Sequence, residues 1–267
     1  MDDLFELAML SDVGGGWPTN EDSFGHWESE TGEIVFAIAD GVGGSAGGEV
    51  ASKLAVTTTL EVYRTSPDGW SPRRRLHRAV QRANTVIHDT ALAAPELGGM
   101  ATTLTAAVVT AGVLRAAHVG DSRLYLVRGD FVRQLTKDHN VASERARLRL
   151  ISAEDVRTDP ERSHLTRSLG LDLVASVDRV SLRLVPGDRL VLCTDGVHTL
   201  LQDQELGDYC REQSPRAACR SLISAAKRRR PTDNLTVAVM AIGGDAAAGE
   251  ARRSWGARLL AFLGRAG

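Results

Sequence analysis

The chain has 267 residues, 43% hydrophobic and 25% charged, with a formal net charge of -2. That length holds one large domain or two small ones, and the composition excludes a mostly disordered chain, a fibrous protein and a disulfide-stapled miniprotein. The balanced charge leaves no global basic field to attract nucleic acid.

In chain order, the apolar run 34–39 ending in Asp40-Gly41 predicts a strand followed by a turn. Residues 49–63 carry Val50, Leu54, Thr57, Thr58, Glu61 and Val62 at roughly helical spacing. Residues 73–94 predict a long helix with Leu76, Val80, Ala83 and Ile87 on one side, started by Pro72 and stopped by Pro95. Strands follow at 103–109, 114–119 and 124–127, then 131–135 after a Gly129-Asp130 hairpin turn. Residues 139–165 are polar and Arg-rich, with room for a short helix. Residues 180–184 alternate, Pro186-Gly187-Asp188 turns, and 190–193 is apolar. Helical patterns at 204–209 and 215–229 precede a last strand at 235–242. Strands and helices segregate, so the fold class is α+β rather than an alternating doubly wound sheet.

After Gly243-Gly244 the chain turns small and flexible. Residues 252–265 then place Trp255, Leu259, Phe262 and Leu263 on one side of a helix, among Arg252, Arg253, Arg258 and Arg265. This basic amphipathic tail suits a membrane surface or a partner; the plainer alternatives are packing on its own domain or disorder. Cys193, Cys210 and Cys219 show no CxxC spacing and fit a reducing cytosol. The acidic start Met1-Asp2-Asp3 lacks a signal-peptide n-region, and no run of about 18 apolar residues could span a membrane. The expectation is a cytoplasmic protein, peripheral to a membrane where the tail engages one.

The functional signal is a set of acids beside Gly or Asn: Glu21-Asp22 after Asn20, Asp40-Gly41, Gly120-Asp121, Asp195-Gly196 and Asp233-Asn234. Each Asp-Gly pair alone reads as a turn. Together they put carboxylates at the mouth of a sheet core, where they are costly unless cations neutralise them. Oxygen donors without a Cys or His pattern favour Mg²⁺ or Mn²⁺ over zinc, and two such ions can activate a water and stabilise a phosphoryl group. The residue chemistry thus leaves two readings, a binuclear metallohydrolase or a set of turns.

Nine segments carry a resemblance. They are SDVG at 11–14, NEDS at 20–23, FAIADGVGGSAGGEVAS at 36–52, ATTLTAAVV at 101–109, AHVGDSRLYLVRG at 117–129, LTKDHN at 135–140, LTRSLG at 165–170, LVLCTDGV at 190–197 and PTDNLTVAVM at 231–240. In order and spacing, the chain resembles the metal-dependent Ser/Thr protein phosphatases of type 2C in their compact bacterial form. The resemblance implies a four-layer α-β-β-α sandwich, two antiparallel sheets flanked by helices, over 1–243, with a flap at about 139–165 and 244–267 as linker and tail. It implies two Mn²⁺ or Mg²⁺ ions and a third, weaker site. Asp40 would bridge two ions, the Gly41 carbonyl would complete one site, and Asp195 and Asp233 would hold the other. Asp40, Asp195 and Asp233 would thus carry the catalysis. Glu21 and Asp22 would act through metal-bound water, Asp121 with Asp195 at the third site, and Asn234 behind the ligands. The implied reaction is hydrolysis of phosphoserine and phosphothreonine in proteins, by direct attack of a metal-activated water. A Ser/Thr kinase would be the opposing partner.

One position departs from the family. Where the family has a phosphate-gripping Arg, this chain has Trp17, which carries no charge and one N–H donor. A substitute Arg is expected from Arg145, Arg147 or Arg149 in the flap, or from Arg73, Arg74 or Arg75. The alternative function is a catalytically weak module that binds phosphoproteins. His139 is expected to serve a structural hydrogen bond.

Overall fold

The computed structural model describes residues 5–16, 18–42, 46–211 and 213–243. Trp17, Gly43 and Gly44, and the expected linker and tail at 244–267, lie outside the described residues.

Two antiparallel sheets stack face to face. The first has the strand order β1-β11-β10-β7-β8, from Phe5–Asp12, Leu235–Ile242, Arg189–Cys193, Arg123–Arg128 and Phe131–Gln134. The second has the order β2-β3-β5-β6-β9, from Asp22–Glu28, Ile34–Val42, Leu104–Thr110, Val113–Val119 and Asp178–Arg183. The short β4 (Ala101–Thr102) pairs with the end of β3. Helices α1 (Ala46–Arg64) and α2 (Pro72–Ala93) cover the second sheet; α5 (Asp203–Arg211) and α6 (Pro215–Arg228) cover the first.

Three apolar layers hold these four together. Ile34, Phe36 and Ile38 meet Leu190, Leu192 and Met240 between the sheets. Val35, Ala37 and Ala39, on the opposite face of β3, pack under α1 and α2. Val191, Val237 and Val239 pack under α5 and α6 with Leu222 and Cys219. Inner strands buried on both faces read as continuous apolar runs, although the sheets are antiparallel. Ser71 and Ser214 start α2 and α6 by accepting the backbone N–H of Arg74 and Ala217, with Pro72 and Pro215 in the first turn.

The structure corrects three sequence readings. Asp40-Gly41 is no turn: β3 continues to Val42, with Gly41 opposite Thr102 and Val42 opposite Ala101. Asp195-Gly196 is no turn either, and opens the short helix α4 (Asp195–His198). Strands β1 and β2 were not signalled by a continuous apolar run. Gly25 stands inside β2 because α1 presses on it; a Cβ there would sit 2.9 Å from Leu60 Cδ1. Residues 139–165, the expected flap, hold α3 (Val141–Arg147), capped by Asn140, whose side chain accepts from the Ser143 N–H.

Candidate metal centre

The acids come from strand ends that meet at one end of the sandwich. Asp22 opens β2 directly opposite Asp40 on β3. Asp121 follows β6, Asp195 follows β10, and Asp233 precedes β11. Glu21, Asp40, Gly41, Asp121, Asp195, Asp233 and Asn234 line one cavity of about 180 Å³. Asp121, Asp195 and Asp233 also line an adjoining cleft of about 280 Å³. Asp22 lies behind them, its Oδ2 accepting from the Thr194 hydroxyl at 2.9 Å.

Backbone geometry closes the cavity. A Cβ on Gly41 would sit 2.2 Å from the Gly48 carbonyl oxygen, and one on Gly48 would sit 2.1 Å from Glu21 Oε2. Glycine at both positions lets the end of β3 and the first turn of α1 approach Glu21.

Neutral groups hold the acids in place. The Asp40 N–H donates to Thr103 Oγ1 at 3.0 Å, and the Asp40 carbonyl accepts from the Thr103 N–H and the Thr102 hydroxyl. Asn234 accepts the Glu21 N–H and donates to the carbonyls of Val13 and Thr19, tying the loop before β2 to Asp233. The Asn140 amide donates to Asp121 Oδ2 at 3.2 Å.

The acids oppose one another. Burial and then Asp22, Asp195, Asp233 and Asp121 push the Asp40 carboxyl well above the carboxylate range. Burial raises Asp22, Asp121, Asp195 and Asp233, and neighbouring carboxylates add to the first three. Asp22 Oδ1 and Asp195 Oδ1 are buried with no hydrogen-bond partner. Among the described residues, no three His, Cys, Asp or Glu side chains are already drawn together into a finished ion cage. Buried, mutually repelling carboxylates with orphaned oxygens are nonetheless the donor set that a hard divalent cation satisfies. The residues present therefore fit such ions.

His139 holds the structural bond expected of it. Its Nδ1 accepts the Gly120 N–H at 3.1 Å, and its ring lies 4.8 Å from that of His118 at a tilt of 34°. The expected substitute arginines are engaged elsewhere. Arg145 pairs with Asp159 and Glu161, Arg147 with Glu144, and Arg75 with Glu33, while Arg74 covers Trp70. Arg73 lines a different groove, and Arg149 lines neither the cavity nor the cleft. Arg123 lines the cleft but is paired with Asp138, and two further arginines that the sequence reading missed line it as well. Arg157 is anchored to the carbonyls of His198 and Leu201, whereas Arg162 is exposed and its charge favours ionised Asp195. His198 was also missed; its Nε2 lies 3.0 Å from the Asp121 carbonyl. No spacing marks these three. Asn140, by contrast, stood in the quoted LTKDHN segment.

Comparisons with known proteins give the family. The profile of the family "Protein phosphatase 2C" matches residues 18–236. The chain is 31% identical over 227 residues to the serine/threonine phosphatase stp of Listeria innocua, covering 82% of this chain and 88% of that one. The Mycobacterium tuberculosis serine/threonine phosphatase PstP/Ppp superposes with a TM-score of 0.82 at 31% identity, over 90% of this chain and 99% of that one. The PstP catalytic domain in complex with two manganese ions superposes with a TM-score of 0.79 at 30% identity, over 90% and 99%. The chain belongs to the protein phosphatase 2C family, in its compact bacterial form, and is a protein-serine/threonine phosphatase.

Proposed function

We propose that this enzyme uses divalent metal ions to hydrolyse phosphoserine and phosphothreonine in proteins by direct attack of water on phosphorus. The observation that carries this is the convergence of Asp40, Asp121, Asp195 and Asp233 on one cleft, beside buried carboxylate oxygens that nothing in the protein satisfies. Asp40, the Gly41 carbonyl, Asp195 and Asp233 would hold two ions, with Glu21 and Asp22 acting through water. Asp121 and Asp195 would hold a third. When bound, such ions supply an activated water and neutralise charge at phosphorus. Carboxylate donors accept Mn²⁺ and Mg²⁺ alike; the two manganese ions bound by the related PstP domain favour Mn²⁺ as the first ion to test.

The other roles belong to this chain's own residues. Thr103 fixes the backbone of Asp40, and Asn140 turns Asp121 inward. Arg162 supplies the positive charge that Trp17 does not, facing the substrate phosphate from the flap. Cys193 is no nucleophile, since burial pushes its thiol up and keeps it protonated. The reaction reverses a Ser/Thr kinase, the enzyme's expected counterpart, in the cytoplasm. Among the described residues no helix is long and apolar enough to cross a membrane. The binding-module alternative rests on Trp17 alone, which lies outside the described residues.

The test is phosphate release from a phosphothreonine peptide with Mn²⁺, with EDTA, and by Asp40→Asn in Mn²⁺. Turnover that requires both metal and Asp40 is the expected result. No turnover from folded, Mn²⁺-supplied protein on several phosphopeptides would overturn the reading.

A further inference from the structure

A second groove, of about 400 Å³, opens where the first turns of α2 meet β6 and β9. Arg73 and His77 enter from α2, Arg115 from β6 and Arg179 from β9, over a floor that includes Leu76 and Val177. No carboxylate lines it. Elsewhere arginines find acids, as Arg75 finds Glu33 and Arg123 finds Asp138. Arg73, Arg115 and Arg179 form no ion pair among the described residues. Arg179 donates instead to His77 Nδ1 at 3.4 Å, a contact that requires a neutral imidazole. Partial burial, then Arg179 and Arg73, hold His77 below its ordinary value, so the field inside the groove is positive. This concave, uncompensated cationic site sits on a chain of net charge -2.

The occupant's chemistry follows from three features. Guanidinium groups converging on a recess match a phosphate dianion. The partly apolar floor suits a group attached to a side chain more than a free ion. β9 is also the edge strand of its sheet, so one side of its backbone is open to an extended polypeptide. Arg115 precedes Asp121 by six positions, roughly 20 Å of extended chain at about 3.3 Å per residue. We propose that this groove binds a second phosphorylated residue of the protein substrate while the first occupies the acidic cleft. The proposal rests on the phosphatase reading above and adds to it a preference for multiply phosphorylated substrates.

Two arms separate that preference from the activity itself. In Mn²⁺, phosphothreonine peptides carry a second phosphoserine at spacings of about four to ten residues on either side. At the matching spacing, KM falls by about tenfold relative to the singly phosphorylated peptide. In Arg115→Gln/Arg179→Gln that gain disappears, while kcat/KM for the singly phosphorylated peptide stays within about twofold. In EDTA, fluorescence anisotropy follows binding of the labelled peptide without turnover. The double variant weakens it by about tenfold, with a melting curve that verifies the fold. Unchanged anisotropy affinity in the variant, or no spacing that lowers KM, overturns the proposal. Inorganic phosphate that displaces the peptide at the peptide's own Kd overturns the polypeptide occupant. If no phosphopeptide is turned over by wild type, the phosphatase reading fails, and the anisotropy arm decides the groove alone.

Discussion

The two ends of β3 obey opposite rules. Its first six residues, Ile34 to Ala39, are buried on both faces and add stability by leaving water. The next, Asp40, faces four other aspartates and loses stability by being there. One strand thus carries both a stabilising apolar segment and a carboxyl pushed well above its ordinary range. The difference teaches where to look for function: at the residue where apolar packing stops and like charges are forced together, to be relieved by protons or by a ligand of opposite charge.

The largest expected effect breaks the charged end. Asp40→Asn should cut Mn²⁺-dependent phosphate release by about a thousandfold or more, as loss of a group holding the reacting ions does. In EDTA the same variant should melt no lower than wild type, because it removes a repelled carboxylate. A lower Tm would mean that Asp40 is chiefly structural. The apolar end gives the converse. Phe36→Ala should cost about 3–5 kcal/mol of stability in urea unfolding, because Phe36 is fully buried between the sheets. Its kcat per folded molecule should stay near wild type, and a specific loss of kcat would show that the two ends are coupled.

A smaller effect sharpens the role of the flap. Arg162→Ala should raise KM for a phosphopeptide about tenfold to a hundredfold, the worth of a charge-assisted bond to phosphate at roughly 1.5–3 kcal/mol. Arg162→Lys should recover part of it. Arg147→Ala should change nothing, since Arg147 pairs with Glu144.

The same division decided what the sequence could reveal. The inner strands were legible because burial on both faces writes a run of apolar residues, as in residues 34–39. β1 and β2 were not: Phe5–Asp12 and Asp22–Glu28 are half-buried strands with mixed faces. The acids were legible as a set at strand ends, through the glycines and asparagines beside them, but Asp40-Gly41 and Asp195-Gly196 were read as turns where the strand continues and a helix opens. A turn and a strand end make the same local demand for Gly, and only pairing with β4 distinguishes them at Gly41. Arg162 and His198 were illegible because their roles depend on how residues 139–165 fold back over α4, a long-range arrangement without local spacing.

The smallest effect sharpens the comparison most, since it reads the repulsion directly. A carboxyl whose pKa is raised by folding binds more protons folded than unfolded. Stability therefore falls as pH rises from the unfolded value through the folded one. Asp22, pushed up to about 7, and Asp195, pushed up to about 6, place that window between roughly pH 4 and 7. In EDTA, wild type should lose stability between pH 5 and pH 8, read as a falling Tm. Asp40→Asn should flatten the slope, because it takes the raised Asp40 carboxyl itself out of the titration. Saturating Mn²⁺ should reverse it, since a cation binds the ionised set and stabilises the folded state increasingly as protons leave. A flat profile in EDTA would mean that water already relieves the carboxylates in the open cleft, and that the strain assigned to this end of β3 is absent.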